Sequence, residues 1–180
     1  MTTTVLDVST DISTSATDSL PADTLLFRDL PLSDDVQLAV QMTGYLSPTD
    51  VQAQIIPHML DGQDVLAQSQ TGTGKTAAFA LPILSRLEMN AATAPQVLVL
   101  APTRELAAQV AENFDTYAKH TKLTKALLIG GVSFGEQDKL IDRGVDVLIA
   151  TPGRLLDHFE RGKLLLTGVQ VMVVDEADRM

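Results

Sequence analysis

Ser69-Gln70-Thr71-Gly72-Thr73-Gly74-Lys75-Thr76 is the stretch on which the fold turns. The residues before it, Asp64 to Ala67, form a short apolar run that predicts a buried strand reaching to Ser69. The residues after it, Ala77-Ala78-Phe79-Ala80-Leu81, predict a buried helix. Strand, glycine loop, Lys-Thr and helix follow in the order that a phosphate cradle needs. Gly72 and Gly74 can adopt positive φ, so successive backbone N–H groups can turn toward one anion. The helix that opens there adds the positive end of its dipole. Lys75 is placed to reach β- and γ-phosphates, and the Thr76 hydroxyl to ligate Mg²⁺. The general phosphate-loop pattern begins with Gly, whereas this chain has Ser69; the Gly-Lys-Thr end is intact.

The 180 residues are 45% hydrophobic, enough for one globular domain with a real core. The net charge of −10 lacks the basic face usual in nucleic-acid binders. Any nucleic-acid contact must therefore be local and rest on backbone donors and a few placed cations. Cysteine is absent, which removes disulfides and thiolate metal sites and fits a reducing compartment, the cytoplasm. No apolar run has bilayer length, so no membrane partner is expected. Residues 1–24 are rich in Thr, Ser and Asp and carry no Lys or Arg, the composition of a disordered tail. A folded domain is expected over 25–180.

Within that domain, helical spacing runs from Leu32 to Met42 with Ser33 as N-cap, and Gly44 ends it. Thr49 can cap a second helix, to about Leu60, that carries Gln52 in its first turn. The Gln52 amide pairs a donor with an acceptor, matching N6 and N7 of adenine, and Tyr45 offers a stacking face. Such a glutamine is otherwise a solvated surface residue. The helix after the glycine loop should run to about Met89, kinked at Pro82. Strands follow at Val97–Ala101, Lys125–Ile129, Val145–Ala150 and Val169–Val174, alternating with helices. One of those helices has a core stripe of Leu106, Ala107, Val110, Ala111, Phe114 and Tyr117; another has capping-box spacing at Ser133 and Glu136.

Five strands alternating with helices predict an α/β fold, a doubly wound parallel sheet of the P-loop type. Such sheets bind ligands at the carboxyl ends of their strands. The glycine loop, Pro102-Thr103-Arg104, Gly130-Gly131, Thr151-Pro152-Gly153-Arg154 and Asp175-Glu176 all fall at such ends. Asp175 stands where a P-loop nucleotidase holds Mg²⁺, and Glu176 beside it can orient and deprotonate water. Asp178 is the candidate relay. His58, His120 and His158 have no ligand spacing and read as surface or satisfied residues.

With these motifs in order, the chain resembles the first RecA-like domain of the DEAD-box ATP-dependent RNA helicases, over Phe27 to Met180. Asp175-Glu176-Ala177-Asp178 matches the motif that gives the family its name. Phe27, Gly44, Tyr45, Pro48, Thr49 and Gln52 match its adenine-reading Q motif, at about 25–53, with Asp50 in place of a frequent proline. Ser69 to Thr76 matches motif I, which implies ATP contacts from Gln70, Thr71, Gly72, Thr73, Gly74, Lys75 and Thr76. Pro102 to Ala107, Gly130-Gly131 and Thr151 to Arg154 match the segments that grip the RNA backbone. The resemblance thus implies RNA contacts from Pro102, Thr103, Arg104, Gly130, Gly131, Thr151, Pro152, Gly153 and Arg154. It further implies ATP and Mg²⁺ as cofactors, Lys75, Asp175, Glu176 and Asp178 in catalysis, a second RecA-like domain, and partners in ribosome assembly or RNA decay. The alternative is a truncated module that binds nucleotide or RNA without turnover.

The resemblance carries a structural expectation as well. In the family a Ser-Ala-Thr strand separates the strand before motif I from the strand before the DEAD motif, and the sequence stops short of it. The sheet should therefore be incomplete at its C-terminal side, with Asp64–Ser69 and Val169–Val174 a strand's width apart, collapsed together, or borrowing a strand. The isolated chain is expected to be inactive as a helicase.

Overall fold

The computed structural model describes residues 24–68, 70, 72–87 and 94–180; the tail, Ser69 and Thr71 lie outside them. After a 3₁₀ turn at Phe27–Asp29, the elements are α1 (Asp34–Met42), α2 (Asp50–Leu60), α3 (Lys75–Arg86), β1 (Val97–Leu100), α4 (Arg104–Tyr117) and β2 (Lys125–Leu128). They continue with α5 (Phe134–Asp142), β3 (Val147–Ala150), α6 (Pro152–Glu160) and β4 (Val171–Val174), then a 3₁₀ turn at Ala177–Arg179. The strands form one parallel sheet in the order β2-β3-β1-β4.

The apolar runs bury both faces of this sheet because side chains alternate along a strand. Val97, Val99, Val147 and Ile149 point to one face, where Phe79, Leu81, Val110 and Phe114 of α3 and α4 cover them. Leu98, Leu148, Ala126 and Leu128 point to the other, under Leu155 of α6, with Leu140 and Ile141 of α5. Every residue from Ala77 to Leu84 is buried, and α3 runs through Pro82 without a break. The α4 stripe is as the spacing predicts, with Leu106 only partly buried. Ser33 and Thr49 both stand at helix N-caps, but the Ser33 side chain makes no cap bond; its N–H donates to Ser85 Oγ (3.1 Å).

Two expectations need correction. Residues 64–68 are not a strand: they are exposed throughout, with Leu66 fully so. A strand exists only by exchanging ladder bonds with a neighbour, and among the described residues none flanks this segment. The sheet has four strands there, not five. β4 correspondingly pairs with β1 alone; Met172 and Val174 are 58% and 43% exposed, while Val171 and Val173 pack on the α3–α4 side. The second correction is the capping box at α5. Ser133 is its N-cap, but no side-chain cap bond forms there. The start of α5 is held instead by the Phe134 ring and the buried Gln137, described below.

Candidate functional site

The glycine loop adopts the backbone that its sequence requires. Gly72 and Gly74 have φ of 83° and 82°, and Gly74 is the N-cap of α3. Thr73 Oγ1 donates to the Gln70 carbonyl (2.9 Å), closing the turn. Lys75 and Thr76 follow in the first turn of α3, where the unpaired N–H groups of a helix start collect.

The segment before the loop is stapled onto it. Thr49 Oγ1 accepts from the Gln52 N–H (3.4 Å) and Gln52 Oε1 accepts from the Thr49 N–H (2.9 Å), a reciprocal capping box at the start of α2. The same two side chains then reach across: Thr49 Oγ1 donates to the Thr73 carbonyl (2.8 Å) and Gln52 Nε2 to the Gly74 carbonyl (3.1 Å). Gln52 is therefore buried, 4% exposed, and not a solvated surface residue. One N–H and one lone pair of its amide are committed within the protein, leaving one of each for a ligand. Thr49 was expected only as a cap and a Q-motif residue; its contact to the loop is new, although Thr-x-x-Gln spacing already signalled the box. A Cβ at Gly74 would stand 2.3 Å from Gln52 Nε2, so glycine is needed there for space as well as for φ.

The two aromatics of this region divide their roles. Phe27 is buried in the main core, and its N–H donates to the Leu46 carbonyl (3.0 Å). Tyr45 stacks on it, with centroids 6.1 Å apart, and keeps 45% of its surface exposed. Both line a cleft of about 1030 Å³ against α1. Burial, and a hydrogen bond with Tyr45, push the Tyr117 hydroxyl well above its ordinary value.

Asp175 follows β4, where its N–H donates to the Leu100 carbonyl (2.9 Å). Burial pushes its carboxyl up, the Lys75 ammonium pulls it back, and Glu176 pushes it up further. Lys75 and Asp175 therefore share one electrostatic site across the sheet's carboxyl edge. Glu176 holds a left-handed backbone (φ 49°) and its Oε2 lies 2.9 Å from Arg179 Nη1. Asp178 is exposed in the closing 3₁₀ turn.

The remaining motifs converge at the ends of β1, β2 and β3. Pro102, Thr103, Arg104, Gly130, Thr151 and Arg154 line a cleft of about 400 Å³, with Glu105 and Asp157. Thr103 caps α4, its Oγ1 accepting from the Leu106 N–H (3.2 Å). Arg104 Nη1 reaches the Gly130 carbonyl (3.4 Å), and a Cβ at Gly131 (φ 85°) would stand 2.8 Å from that nitrogen. Pro152 opens α6, and Gly153 faces open space. Two helix starts and two guanidinium groups thus surround a cleft whose chemistry suits phosphate oxygens.

Behind Arg154 lies His158, expected only as a surface or satisfied residue. His158 is fully buried. Its Nε2 is 2.8 Å from Gln137 Oε1, and its Nδ1 is 3.2 Å from Asp138 Oδ1. Burial holds the imidazole below its usual pKa, opposed by Asp138 and reinforced by Arg154 and Arg161. Burial acts to raise the Asp138 carboxyl, but Arg161, His158 and Lys163 together hold it below its ordinary value. The i,i+4 spacing of Arg154 and His158 on one helix was the available signal.

A profile of the family described as DEAD/DEAH box helicase matches residues 49–180. The ATP-dependent RNA helicase DeaD of Klebsiella pneumoniae is 47% identical over 155 residues, 86% of this chain and 24% of that protein. The protein of the same name from Mycobacterium tuberculosis is 48% identical over 155 residues, 86% of this chain and 27% of that protein. The chain thus spans about a quarter of the length of these curated relatives. The crystal structure of a DEAD box protein from the hyperthermophile Methanococcus jannaschii superposes with a TM-score of 0.82 and 38% identity, covering 87% of this chain and 42% of that one.

Proposed function

The chain belongs to the DEAD/DEAH box helicase family, and from that premise we propose that it is the ATP-binding, RecA-like half of an ATP-dependent RNA helicase. The observation that carries this reading is the pair of bonds from Thr49 and Gln52 to the carbonyls of Thr73 and Gly74. They join a base-reading amide to a phosphate cradle, so that one ligand with both a base and a phosphate chain can satisfy both. Adenine meets the remaining N–H and lone pair of Gln52, and Tyr45 borders the base. The loop N–H groups, Lys75 and Thr76 receive the phosphates.

The residues fit Mg²⁺. Asp175 is a buried carboxylate whose ionised form is disfavoured in the protein alone, and a cation beside it would favour that form. With the Thr76 hydroxyl it gives a hard-oxygen pair, and Mg²⁺ commonly takes one or two protein oxygens and fills its shell with phosphate and water. Held there, Mg²⁺ would supply positive charge to offset that of the phosphates. Glu176 is the group to orient water and accept its proton, which requires it to leave Arg179. Asp178 is positioned as the relay.

RNA is the proposed second ligand, held by its backbone in the cleft of Thr103, Arg104, Gly130, Gly131, Thr151, Gly153 and Arg154. Backbone amides and helix starts allow this despite the net charge of −10. The reading assigns unwinding to a pair of RecA-like domains, because an arginine finger from a second domain is worth ~10³–10⁵ in rate. It places the protein in the cytoplasm, among RNA-decay or ribosome-assembly partners. ATP hydrolysis and short-duplex unwinding should be measured for the chain alone and for the chain joined to a relative's second domain. Turnover stimulated by RNA is expected only in the joined form; unwinding by the chain alone, or none by either, would overturn the reading.

A further inference from the structure

We propose that His158 is a positioning residue for the RNA cleft, fixing the Arg154 guanidinium through the carboxamide of Gln137. This inference rests on the reading of that cleft as an RNA-backbone site. Arginine can only donate, so the Gln137 atom 2.9 Å from Arg154 Nε must be its carbonyl oxygen. The other end of that amide donates to the Ile129 carbonyl (2.9 Å), in agreement. Gln137 Oε1 therefore accepts twice, from Arg154 Nε and from His158 Nε2. His158 must carry its proton on Nε2, and that proton is what holds the carboxamide in line.

The consequence falls on Arg154. Nε is bound by Gln137, and Nη2 donates to the Val132 carbonyl. The guanidinium carbon sits 3.5 Å from the Phe134 ring centroid. Two bonds and a stacking surface fix a planar group completely, leaving Nη1 to the cleft side, 3.9 Å from Asp157 Oδ2. Gln137 also spans from Ile129, just after β2, to the helix that bears Arg154, so one amide ties two lips of the cleft together. The Nδ1 face of His158 meets Asp138 instead, and the tautomer is set by the Gln137 side. Nδ1 is buried without a hydrogen bond of good geometry, 3.2 Å from Asp138 Oδ1 on α5, and the charges of Arg154 on α6 and of Arg161 just after it oppose that of Asp138. A ring present only to fill space would have no reason to keep Nε2 protonated against Gln137.

The test uses the 180-residue chain with labelled histidine and arginine. Heteronuclear NMR at neutral pH should show His158 as the Nε2–H tautomer and the Arg154 Nε–H protected from exchange. His158→Gln, which can present an N–H near the Nε2 position, should keep that protection. His158→Leu, of similar bulk, should lose it by about tenfold or more, as expected when a hydrogen bond to a charged group loses its buried support, with ATP affinity unchanged. An Nδ1–H tautomer, or full Arg154 protection in a folded His158→Leu chain, would overturn the inference. Should His158→Leu fail to fold, the tautomer and the His158→Gln chain decide. A parallel titration with labelled oligouridylate separates the underlying reading: if Arg154→Ala binds it like the parent chain, the cleft is not an RNA site. A protected Arg154 Nε–H in the parent chain would still leave the Gln137–His158 geometry standing.

Discussion

Replacing Gln52 with alanine tests the coupling between the base-reading segment and the phosphate loop. The change removes Oε1 from the Thr49 N–H (2.9 Å) and Nε2 from the Gly74 carbonyl (3.1 Å). Each bond contributes about 1 kcal/mol net, and the site is buried, so the loss should be roughly 2 kcal/mol. For a domain of this size that corresponds to a fall in Tm of roughly 4–8 °C. Gln52→Glu should be worse than its shape suggests, because it turns a carboxylate oxygen toward the Gly74 carbonyl. Thr49→Val removes the other half of the staple. Since the two side chains share one cap, their effects should be non-additive by ~0.5 kcal/mol or more. Thermal unfolding followed by circular dichroism, with amide exchange at Thr49, measures all of this. A Gln52→Ala chain with an unchanged Tm and a Thr49 amide as protected as before would refute the reasoning.

Gly74→Ala should abolish ATP binding while leaving the sheet folded, because it meets both φ 82° and Gln52 Nε2 at 2.3 Å; nucleotide titration checks this. Gly131→Ala, at φ 85° and 2.8 Å from Arg104 Nη1, should cost about 1–2 kcal/mol in stability and weaken oligouridylate binding, read by denaturant unfolding and fluorescence anisotropy. Glu176→Gln, in the chain joined to a second domain, should bind ATP normally and hydrolyse it slowly, visible as kcat falling with little change in KM. The buried His158 favours its neutral form, so the unfolded chain takes up this proton first as pH falls. Stability should hold above pH 6.5 and decline as pH drops from there through the lowered folded value, by at most ~1.4 kcal/mol per pH unit. Burial sets that shift first, Arg154 on α6 and Arg161 just after it add to it, and Asp138 on α5 opposes it; a flat profile in His158→Leu against a sloped parent would confirm its source.

Local chemistry made most of this legible. Gly72, Gly74, Lys75 and Thr76 were placed by a backbone requirement, and Val97–Leu100 and Val147–Ala150 by continuous apolar runs that only a sheet buried on both faces explains. Residues 64–68 have the same local signature, yet they form no strand, because a strand needs a neighbour and sequence shows only one side of a pair. Ser133 and Glu136 had the spacing of a capping box, but the start of α5 is governed by contacts from α6. Gln52 was read for its ligand and found also holding the loop. His158 looked like one of three scattered histidines; its role depends on Gln137 from another helix, which no local pattern reveals.

The most direct test of the central claim is equilibrium binding of Mg²⁺-ATP and Mg²⁺-GTP to the 180-residue chain, by isothermal titration, beside Lys75→Ala and Gln52→Ala. A glutamine amide that meets adenine with one donor and one acceptor should separate the two nucleotides by about 1–3 kcal/mol. ATP should therefore bind more tightly than GTP, Lys75→Ala should weaken both, and Gln52→Ala should remove most of the difference between them. Equal affinity of the unaltered chain for ATP and GTP would contradict the account.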